Sequence, residues 1–232
     1  MKVAWQRLIR FVSTDGRVLR GEPILPNPDF DLGDTTEETK LQARVIEGDD
    51  LYDTTAMALV RGTALKTRID TGKFVVVIGR DAKNVKESEA LDYVAAYTAG
   101  NDISSRKWQR DPNLAGGVPQ WGFSKGFDTF APLGPALVSS SLIAAPEKLH
   151  LQTIVDKETR QDAGLDDLVF SIPRLIAHLS SGTTLQKGSV IMTGTPGGVG
   201  AGLKPAKYLV PGTQMEVNIT QIGTLKNGVD FE

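Results

Sequence analysis

The segment from residue 97 to residue 135 concentrates the side chains of this chain that could do chemistry. It reads YTAGNDISSRKWQRDPNLAGGVPQWGFSKGFDTFAPLGP, with acids, bases and amides set among turn-forming glycines. The candidate side chains are carboxylates, cations and amides: Asp102, Arg106, Gln109, Gln120, Lys125 and Asp128. Loops this long inside a compact domain are uncommon unless they are functional. We therefore expect a binding or catalytic segment here, the alternative being a long surface loop with solvated charges.

Composition excludes several classes of protein. The chain has 232 residues, 40% hydrophobic and 23% charged, which is enough for one globular domain with a sizeable core. The formal net charge is −2 and the pI is near 5.8, so no basic surface recommends a nucleic-acid partner. Cysteine is absent, which excludes disulfides and thiolate chemistry. No apolar run has the length of a signal peptide or a membrane span, so we expect a soluble cytoplasmic protein without a membrane partner.

The pattern of apolar residues predicts many strands and two helices. The strand predictions include an N-terminal hairpin and a second hairpin, and they cover residues 4–25, 41–48, 74–79, 135–139, 149–164, 189–194 and 213–232. Residues 87–100 are predicted as a helix with Ser88 as its N-cap, and Ser171 caps a second predicted helix that ends by Gly182. Residues 51–73 show only weak helical character. Strands that do not alternate regularly with helices favour an α+β or all-β architecture.

Five sequence words, in order, make the chain similar to a known family. They are FVVVIGRDAKNV, ALDYVAAYTAGNDISSRKWQ, QWGFSKGFDTFAPLGP, DDLVFSIPRLIAHLSSGTTLQKGSVIMTGTPGGVG and YLVPGTQMEVNITQIGTL, which together cover residues 74–227. The chain resembles the fumarylacetoacetate hydrolase family in its C-terminal-domain form. The resemblance implies an α+β fold of the mixed β-sandwich or β-roll type. It also implies a single domain over residues 1–232, with residues 1–48 as an N-terminal strand subregion and residues 74–227 as the family core.

The resemblance also implies an activity and roles for particular residues. Members cleave, decarboxylate or tautomerise small 2-oxo acids, pair as homodimers and bind a divalent cation. The implied roles are a metal-ligating carboxylate for Asp102, stabilisation of negative charge for Lys125 and binding of the substrate carboxylate for Thr195 with Gly194. Further candidates for substrate binding are Arg106, Gln109 and Gln120. Two structural alternatives stay open, namely an ion pair of Lys125 with Asp128 and an ion pair of Arg106 with an acid.

The chain departs from the family pattern at the metal site. The two positions where the family has a Glu-x-Glu pair are Thr71 and Lys73, and Asp70 is one residue out of register. The family's His-Glu catalytic segment is lacking before residue 74. We expect no tightly bound metal, with weak Mg²⁺ or Mn²⁺ binding at most. We further predict that Lys73 pairs with Asp102; the alternative is that Lys73 points to solvent.

These departures leave three functional hypotheses. The first is a divergent enzyme acting on a small 2-oxo or 1,3-dicarbonyl acid by C–C cleavage, decarboxylation, tautomerisation or cyclisation, independent of metal or weakly dependent on it. The second is a non-catalytic paralogue. The third is an internally deleted form of an acylpyruvate hydrolase or oxaloacetate decarboxylase. Because one fold hosts many functions, the fold alone does not choose among them.

Overall fold

A computed structural model describes residues 3–48, the strand at 56–63 and residues 72–230. The strands within these ranges are Arg7–Ser13 (β1), Val18–Ile24 (β2), Gln42–Ile46 (β3), Ala56–Thr63 (β4), Gly72–Ile78 (β5), Val94–Asn101 (β6), Leu133–Ser139 (β7), His150–Val155 (β8), Glu158–Gly164 (β9), Val190–Met192 (β10), Gln214–Ile219 (β11) and Gly223–Gly228 (β12). The α-helices are Arg106–Arg110 (α1), Pro112–Ala115 (α2), Gly122–Lys125 (α3) and Ile172–Leu179 (α4). Short 3₁₀ helices span Leu32–Asp34, Glu87–Tyr93, Pro146–Lys148, Leu165–Asp167 and Gly200–Gly202.

The strands form two antiparallel sheets. The larger sheet has eight strands in the order β10-β5-β6-β7-β1-β2-β3-β4, and the smaller has four in the order β12-β11-β8-β9. Strand β1 also pairs with β4, through Val12 with Thr63 and Ser13 with Gly62. Because β1 pairs with β7 on its other side, it joins the N-terminal strands to the remainder of the larger sheet. Two antiparallel sheets accompanied by a few short helices confirm the predicted α+β class.

The main core lies where the smaller sheet covers strands β5 and β6. Phe74, Val76 and Ile78 alternate along β5 and pack with Leu151 of β8 and Val217 of β11. Every residue of β5 is buried, so both faces of this strand are covered. Burying each large apolar side chain contributes about 1.5–3 kcal/mol, and this layer therefore fixes the position of β5 firmly.

Most of the predicted elements are confirmed. The N-terminal hairpin forms from β1 and β2, and β3 and β5 lie where the sequence predicts strands. The hairpin of β8 and β9 turns at Asp156 and Lys157, both with positive φ. Ser171 caps α4 by accepting a hydrogen bond from the Arg174 N–H.

The helix predicted at residues 87–100 is wrong. Glu87–Tyr93 is a 3₁₀ helix whose N-cap is Lys86 rather than Ser88, and the following residues form β6. This strand lies between β5 and β7 and is buried throughout. A short apolar run that is buried on all sides has no period that separates a strand from a helix, so its tertiary neighbours decide.

The weak helical character assigned to residues 51–73 is also wrong where the structure describes them. Residues 56–63 form β4, which pairs with β3, and residues 72–73 begin β5. The predictions for residues 51–55 and 64–71 lie outside the described residues. Across the residues that are described, no helix is long and apolar enough to cross a membrane.

Candidate functional site

The N-terminal end of β5 and the C-terminal ends of β6 and β10 lie side by side at one edge of the larger sheet. Strand β5 runs antiparallel to both β6 and β10, so its first residues lie beside the last residues of those two strands. Lys73 in β5 is paired with Gly100 in β6, and Asp102 follows two residues later. The Gly-rich turn that contains Thr195 follows β10 directly. The hydrogen-bond pattern of the sheet thus brings together residues far apart in sequence.

Asp102 is the centre of a charged cluster at this edge. Lys125 Nζ donates to Asp102 Oδ1 at 2.6 Å and to Ser104 Oγ at 2.7 Å. Lys73 Nζ lies 3.5 Å from the other carboxylate oxygen, Oδ2. The predicted contact of Lys73 with Asp102 is therefore confirmed, and the solvent-facing alternative is wrong. Lys125 pairs with Asp102 instead of Asp128, which corrects the structural alternative for that lysine.

The cluster carries a net positive charge, and its side chains are largely shielded from solvent. The side chains of Lys73, Asp102 and Lys125 are 10%, 23% and 28% exposed. Burial lowers the pKa of the Lys73 ammonium, and the positive charges of Lys125 and Arg106 act in the same direction, while Asp102 opposes them. Two ammonium groups on one carboxylate leave a net positive charge, which favours an anionic ligand.

Lys125 is held in place by the short helices that precede it. It ends α3, and the Ser105 N–H donates to the Ser124 carbonyl at 2.9 Å. Ser124 is fully buried, and its hydroxyl donates to the Trp121 carbonyl at 3.0 Å. Phe123 packs against Trp108 of α1, with ring centroids 5.1 Å apart. Helices this short are unstable alone, so these contacts fix the segment.

Arg106 and Gln109 form a second polar pair on α1. The Arg106 Nη1 donates to Gln109 Oε1 at 2.7 Å. Among the residues described, Arg106 makes no ion pair with an acid, so the structural alternative for this arginine stays a prediction. Gln109 is fully buried, and its Nε2 has no hydrogen-bond partner within the described part of the chain. A buried unpaired amide is costly, so this group favours an acceptor such as a ligand oxygen or a water.

Gln120 and Trp121 lie at the exposed rim of the segment. The Gln120 N–H donates to the Gln109 carbonyl at 3.0 Å, while its side chain is exposed. Trp121 is 56% exposed. Its ring centroid lies 5.7 Å from Lys125 Nζ, which is within the range of a cation–π contact.

The Thr195 hydroxyl is used within the protein. It donates to the Gly72 carbonyl at 2.9 Å and accepts from Gln161 Nε2 at 2.7 Å. Gln161 also donates to the Pro196 carbonyl at 3.0 Å and accepts from the Gly72 N–H at 3.0 Å. This network joins the Gly-rich turn to the residue before Lys73. The sequence did not predict a role for Gln161, because it lies on the predicted hairpin and only its buried position reveals its partners.

The glycines of the turn differ in their surroundings. A Cβ at Gly198, where φ is +104°, would lie 1.7 Å from the Arg160 carbonyl oxygen, so this position accepts only glycine. Gly194 is exposed, and a Cβ there would meet only the Leu168 side chain, at an ordinary 3.6 Å. The turn therefore packs on β9 at Gly198 while Gly194 faces outward.

The described residues do not fit the divalent metal site that the resemblance implies. Asp102 is the carboxylate assigned to it, but both of its oxygens face an ammonium group. Within the described ranges, no group of three or more His, Cys, Asp or Glu side chains is placed to hold a metal. Mg²⁺ and Ca²⁺ take oxygen ligands, and adjacent ammonium groups repel them. Thr71, the other substituted position, lies outside the described residues.

Neither histidine of the chain lies in this cluster. His150 opens β8, is exposed and contacts Asp162. His178 is exposed on α4. A general base for water is therefore not supplied by histidine at Asp102.

Comparisons with known proteins agree with this fold. The family described as "Fumarylacetoacetate (FAA) hydrolase C-terminal" matches residues 54–230. Oxaloacetate tautomerase YisK of Bacillus subtilis is 42% identical over 158 residues, which are 68% of this chain and 50% of that protein. The fumarylacetoacetate hydrolase domain-containing protein 2 homolog of Dictyostelium discoideum is 40% identical over 166 residues, which cover 68% of this chain and 53% of that protein. The chain thus spans about half the length of the curated relatives it matches.

Solved structures give the same result. A 2-hydroxyhepta-2,4-diene-1,7-dioate isomerase of Mycobacterium marinum matches with a TM-score of 0.75 at 25% identity, covering 97% of this chain and 98% of that chain. A fumarylpyruvate hydrolase of Pseudomonas aeruginosa in complex with Mn²⁺ and pyruvate matches with a TM-score of 0.62 at 29% identity, covering 70% of this chain and 66% of that chain. The region matched by the family model, residues 54–230, includes β5, β6 and the Gly-rich turn. The chain therefore belongs to the fumarylacetoacetate hydrolase family.

Proposed function

We propose that the protein is an enzyme acting on a small 2-oxo or 1,3-dicarbonyl acid. The observation that carries this proposal is the contact of Lys125 with Asp102 and Ser104 beside a second ammonium at Lys73. Such a site attracts a carboxylate and stabilises an enolate oxygen. Relatives named as an oxaloacetate tautomerase and as a fumarylpyruvate hydrolase bound to pyruvate support this substrate class.

Lys125 takes the role of stabilising the enolate. An ammonium has three N–H donors, and two of them are directed at Asp102 and Ser104. The third is left for the oxygen at C2 of the substrate. The charge that develops on this oxygen during enolisation strengthens that hydrogen bond, which lowers the barrier. Asp102 and Ser104 hold the ammonium in position.

The remaining contacts orient the substrate. The unpaired Gln109 Nε2 and the Arg106 guanidinium are suited to its carboxylate. Thr195 acts indirectly in this proposal, because its hydroxyl is held by Gly72 and Gln161. The Gly-rich turn beside it, with exposed Gly194, contributes backbone N–H groups.

The chemistry that needs only an enolate is favoured over hydrolysis. Tautomerisation moves a proton between the C2 oxygen and C3, with the enolate between the two forms. Decarboxylation of oxaloacetate breaks the bond to the leaving carboxyl group, and its electron pair becomes the same kind of enolate. Cyclisation and C–C cleavage belong to the same proposed set of reactions. Hydrolytic cleavage needs an activated water, and neither exposed histidine lies at Asp102.

We propose that these reactions depend weakly on metal or not at all. Mg²⁺ or Mn²⁺, when bound, would supply a positive charge for the substrate oxygens. The ammonium groups of Lys73 and Lys125 place positive charge at the same carboxylate, so weak binding of these ions is the expectation.

We further propose that residues 1–232 act as one domain and that the protein is a homodimer. The pairing of β1 with β7 supports the first part, since it joins the N-terminal strands β1 to β3 to strands β5, β6, β7 and β10 of the family core in one sheet. Exposed apolar side chains on one segment support the second; they are Leu114, Val118, Trp121 and Phe123. Light scattering after size-exclusion chromatography tests the oligomeric state.

The decisive experiment is a product analysis. Purified protein is incubated with oxaloacetate and with an acylpyruvate, with added Mg²⁺ and with EDTA, and pyruvate, carboxylic acid and tautomer ratio are measured. The proposal predicts turnover of at least one substrate and its loss in Lys125→Met. The control Lys107→Met changes an exposed lysine near the site. No turnover of any substrate, with the fold intact, would favour a non-catalytic paralogue or an internally deleted hydrolase.

A further inference from the structure

Lys73 has an unusual position for a lysine. It lies in β5, one residue after the glycine that Thr195 and Gln161 contact, and it is 8% exposed. Lysines are almost never this buried unless they are paired. Its Asp102 contact of 3.5 Å is longer than an ordinary charge-assisted hydrogen bond of about 2.7–2.9 Å. Within the described residues, its ammonium makes no hydrogen bond of ordinary length.

The position of Lys73 is fixed by its surroundings. Strand β5 is buried on both faces, and the Gly72 backbone is held by Gln161 and Thr195. A Cβ at Gly72 would lie 2.0 Å from Thr153 Oγ1, so β5 lies directly against β8 at this point and has no room for a side chain there. The Lys73 ammonium is therefore directed at the Asp102 carboxylate by the sheet itself. An ammonium placed this way, with donors left over, is suited to a ligand oxygen.

We infer that Lys73 is a substrate-binding residue that acts in place of a divalent cation, so that the two oxygens of a 2-oxo acid bind between Lys73 and Lys125 without metal. The inference rests on the proposed function and adds the residue that sets its cofactor requirement. The chemical class of ligand is a planar anion with adjacent oxygens, such as the enolate of a 2-oxo acid or oxalate. Asp102 keeps the two ammonium groups together by contacting one with each oxygen.

Two kinds of binding site can be built on this sheet. In a metal-dependent site, carboxylates hold the cation and the cation holds the ligand. Here one carboxylate holds two ammonium groups, and the ammonium groups hold the ligand. Replacing the Lys73 ammonium by a carboxylate should therefore convert the second kind of site towards the first.

Calorimetric titration with oxalate tests this inference, in EDTA and separately with Mn²⁺. The wild-type protein should bind oxalate in EDTA, and Lys73→Met should weaken that binding by about 10-fold or more. Lys73→Arg, which keeps the charge, should retain part of the affinity, and Lys107→Met should match the wild type. Lys73→Glu should lose oxalate binding in EDTA and gain Mn²⁺ binding. Circular dichroism and thermal melting establish that each variant is folded.

The outcomes distinguish this inference from the proposed function. Oxalate binding by the wild type only when Mn²⁺ is present would overturn the role of Lys73 and the proposed weak metal dependence, and it would leave the proposed substrate class standing. Equal oxalate affinity of the wild type and a folded Lys73→Met in EDTA would overturn the role of Lys73 and leave the proposed function standing. No oxalate binding under either condition would contradict both. If Lys73→Met does not fold, the comparison of the wild type with Lys73→Arg and the metal requirement of the wild type still decide.

Discussion

Lys125 and Asp102 lie 23 residues apart in sequence, yet Nζ of one is 2.6 Å from Oδ1 of the other. Asp102 follows the last residue of β6, and Lys125 is the last residue of α3. The chain between them forms three short helices that return to the strand end. The long polar segment is thus a compact substructure that places the Lys125 ammonium beside the Asp102 carboxylate.

The first prediction concerns metal binding. Titration of the wild-type protein with Mg²⁺ or Mn²⁺ should give at most weak binding, because each oxygen of Asp102 already faces an ammonium. Isothermal titration calorimetry measures this directly. A site of micromolar affinity that disappears in Asp102→Ala would contradict the prediction.

The second prediction concerns the energetic coupling of Lys73 with Asp102. Removing Asp102 leaves a nine-tenths buried ammonium without its carboxylate, so Asp102→Ala should reduce the free energy of unfolding by about 1–3 kcal/mol. Urea denaturation of Lys73→Ala, Asp102→Ala and the double variant gives the coupling energy. The sum of the stability losses in the two single variants should exceed the loss in the double variant. If the sum equals the loss in the double variant, the contact has no energetic role.

The third prediction concerns pH. Burial lowers the folded-state pKa of Lys73 below 10.5, so in the window between the folded-state pKa and 10.5 the unfolded chain binds more protons than the folded one. Stability arising from Lys73 therefore rises with pH through that window and is lower on its acid side. The wild type should gain stability relative to Lys73→Met as the pH rises towards 10.5. Urea melts that stay parallel across this range would refute the effect.

The fourth prediction concerns Gln161. Gln161→Leu removes the acceptor of the buried Gly72 N–H and the donor to Thr195, so it should cost about 1–3 kcal/mol of stability. It should also weaken substrate binding, because Gly72 precedes Lys73. A matched control is Gln152→Leu, since the Gln152 amide contacts the exposed Asp162. That variant should change stability by less than about 0.5 kcal/mol. Equal effects of the two substitutions would show that the network does not matter.

The sequence predicted the strands well where their pattern or their turns were distinctive. The hairpin at Asp156 and Lys157 and the capped helix α4 depend on local signals. The helix prediction over β6 depended on Ser88 as N-cap and on the helical spacing of the apolar residues after it, and local spacing cannot show that β5 and β7 flank this segment. Propensity was overridden there by tertiary packing.

The candidate site was predictable in its residue types and only partly in its contacts. The pairing of Lys73 with Asp102 follows from the register of two neighbouring strands, which the family resemblance supplied. The contacts of Thr195 with Gly72 and Gln161 join the turn after β10 to β5 and β9, and no local pattern encodes such contacts. The orientation of Arg106 towards Gln109 likewise depends on the fold of the short helices.

The most direct test of the proposed function is the rate at which enol-oxaloacetate converts to the keto form, followed by ultraviolet absorbance in EDTA. The account predicts acceleration by the wild-type protein and by Lys107→Met, and a decrease of about 100-fold or more in Lys125→Met, because the enolate loses its hydrogen-bonded cation. Unchanged acceleration in a folded Lys125→Met, or none in the wild type, would contradict the assignment of this cluster as the site of enolate chemistry.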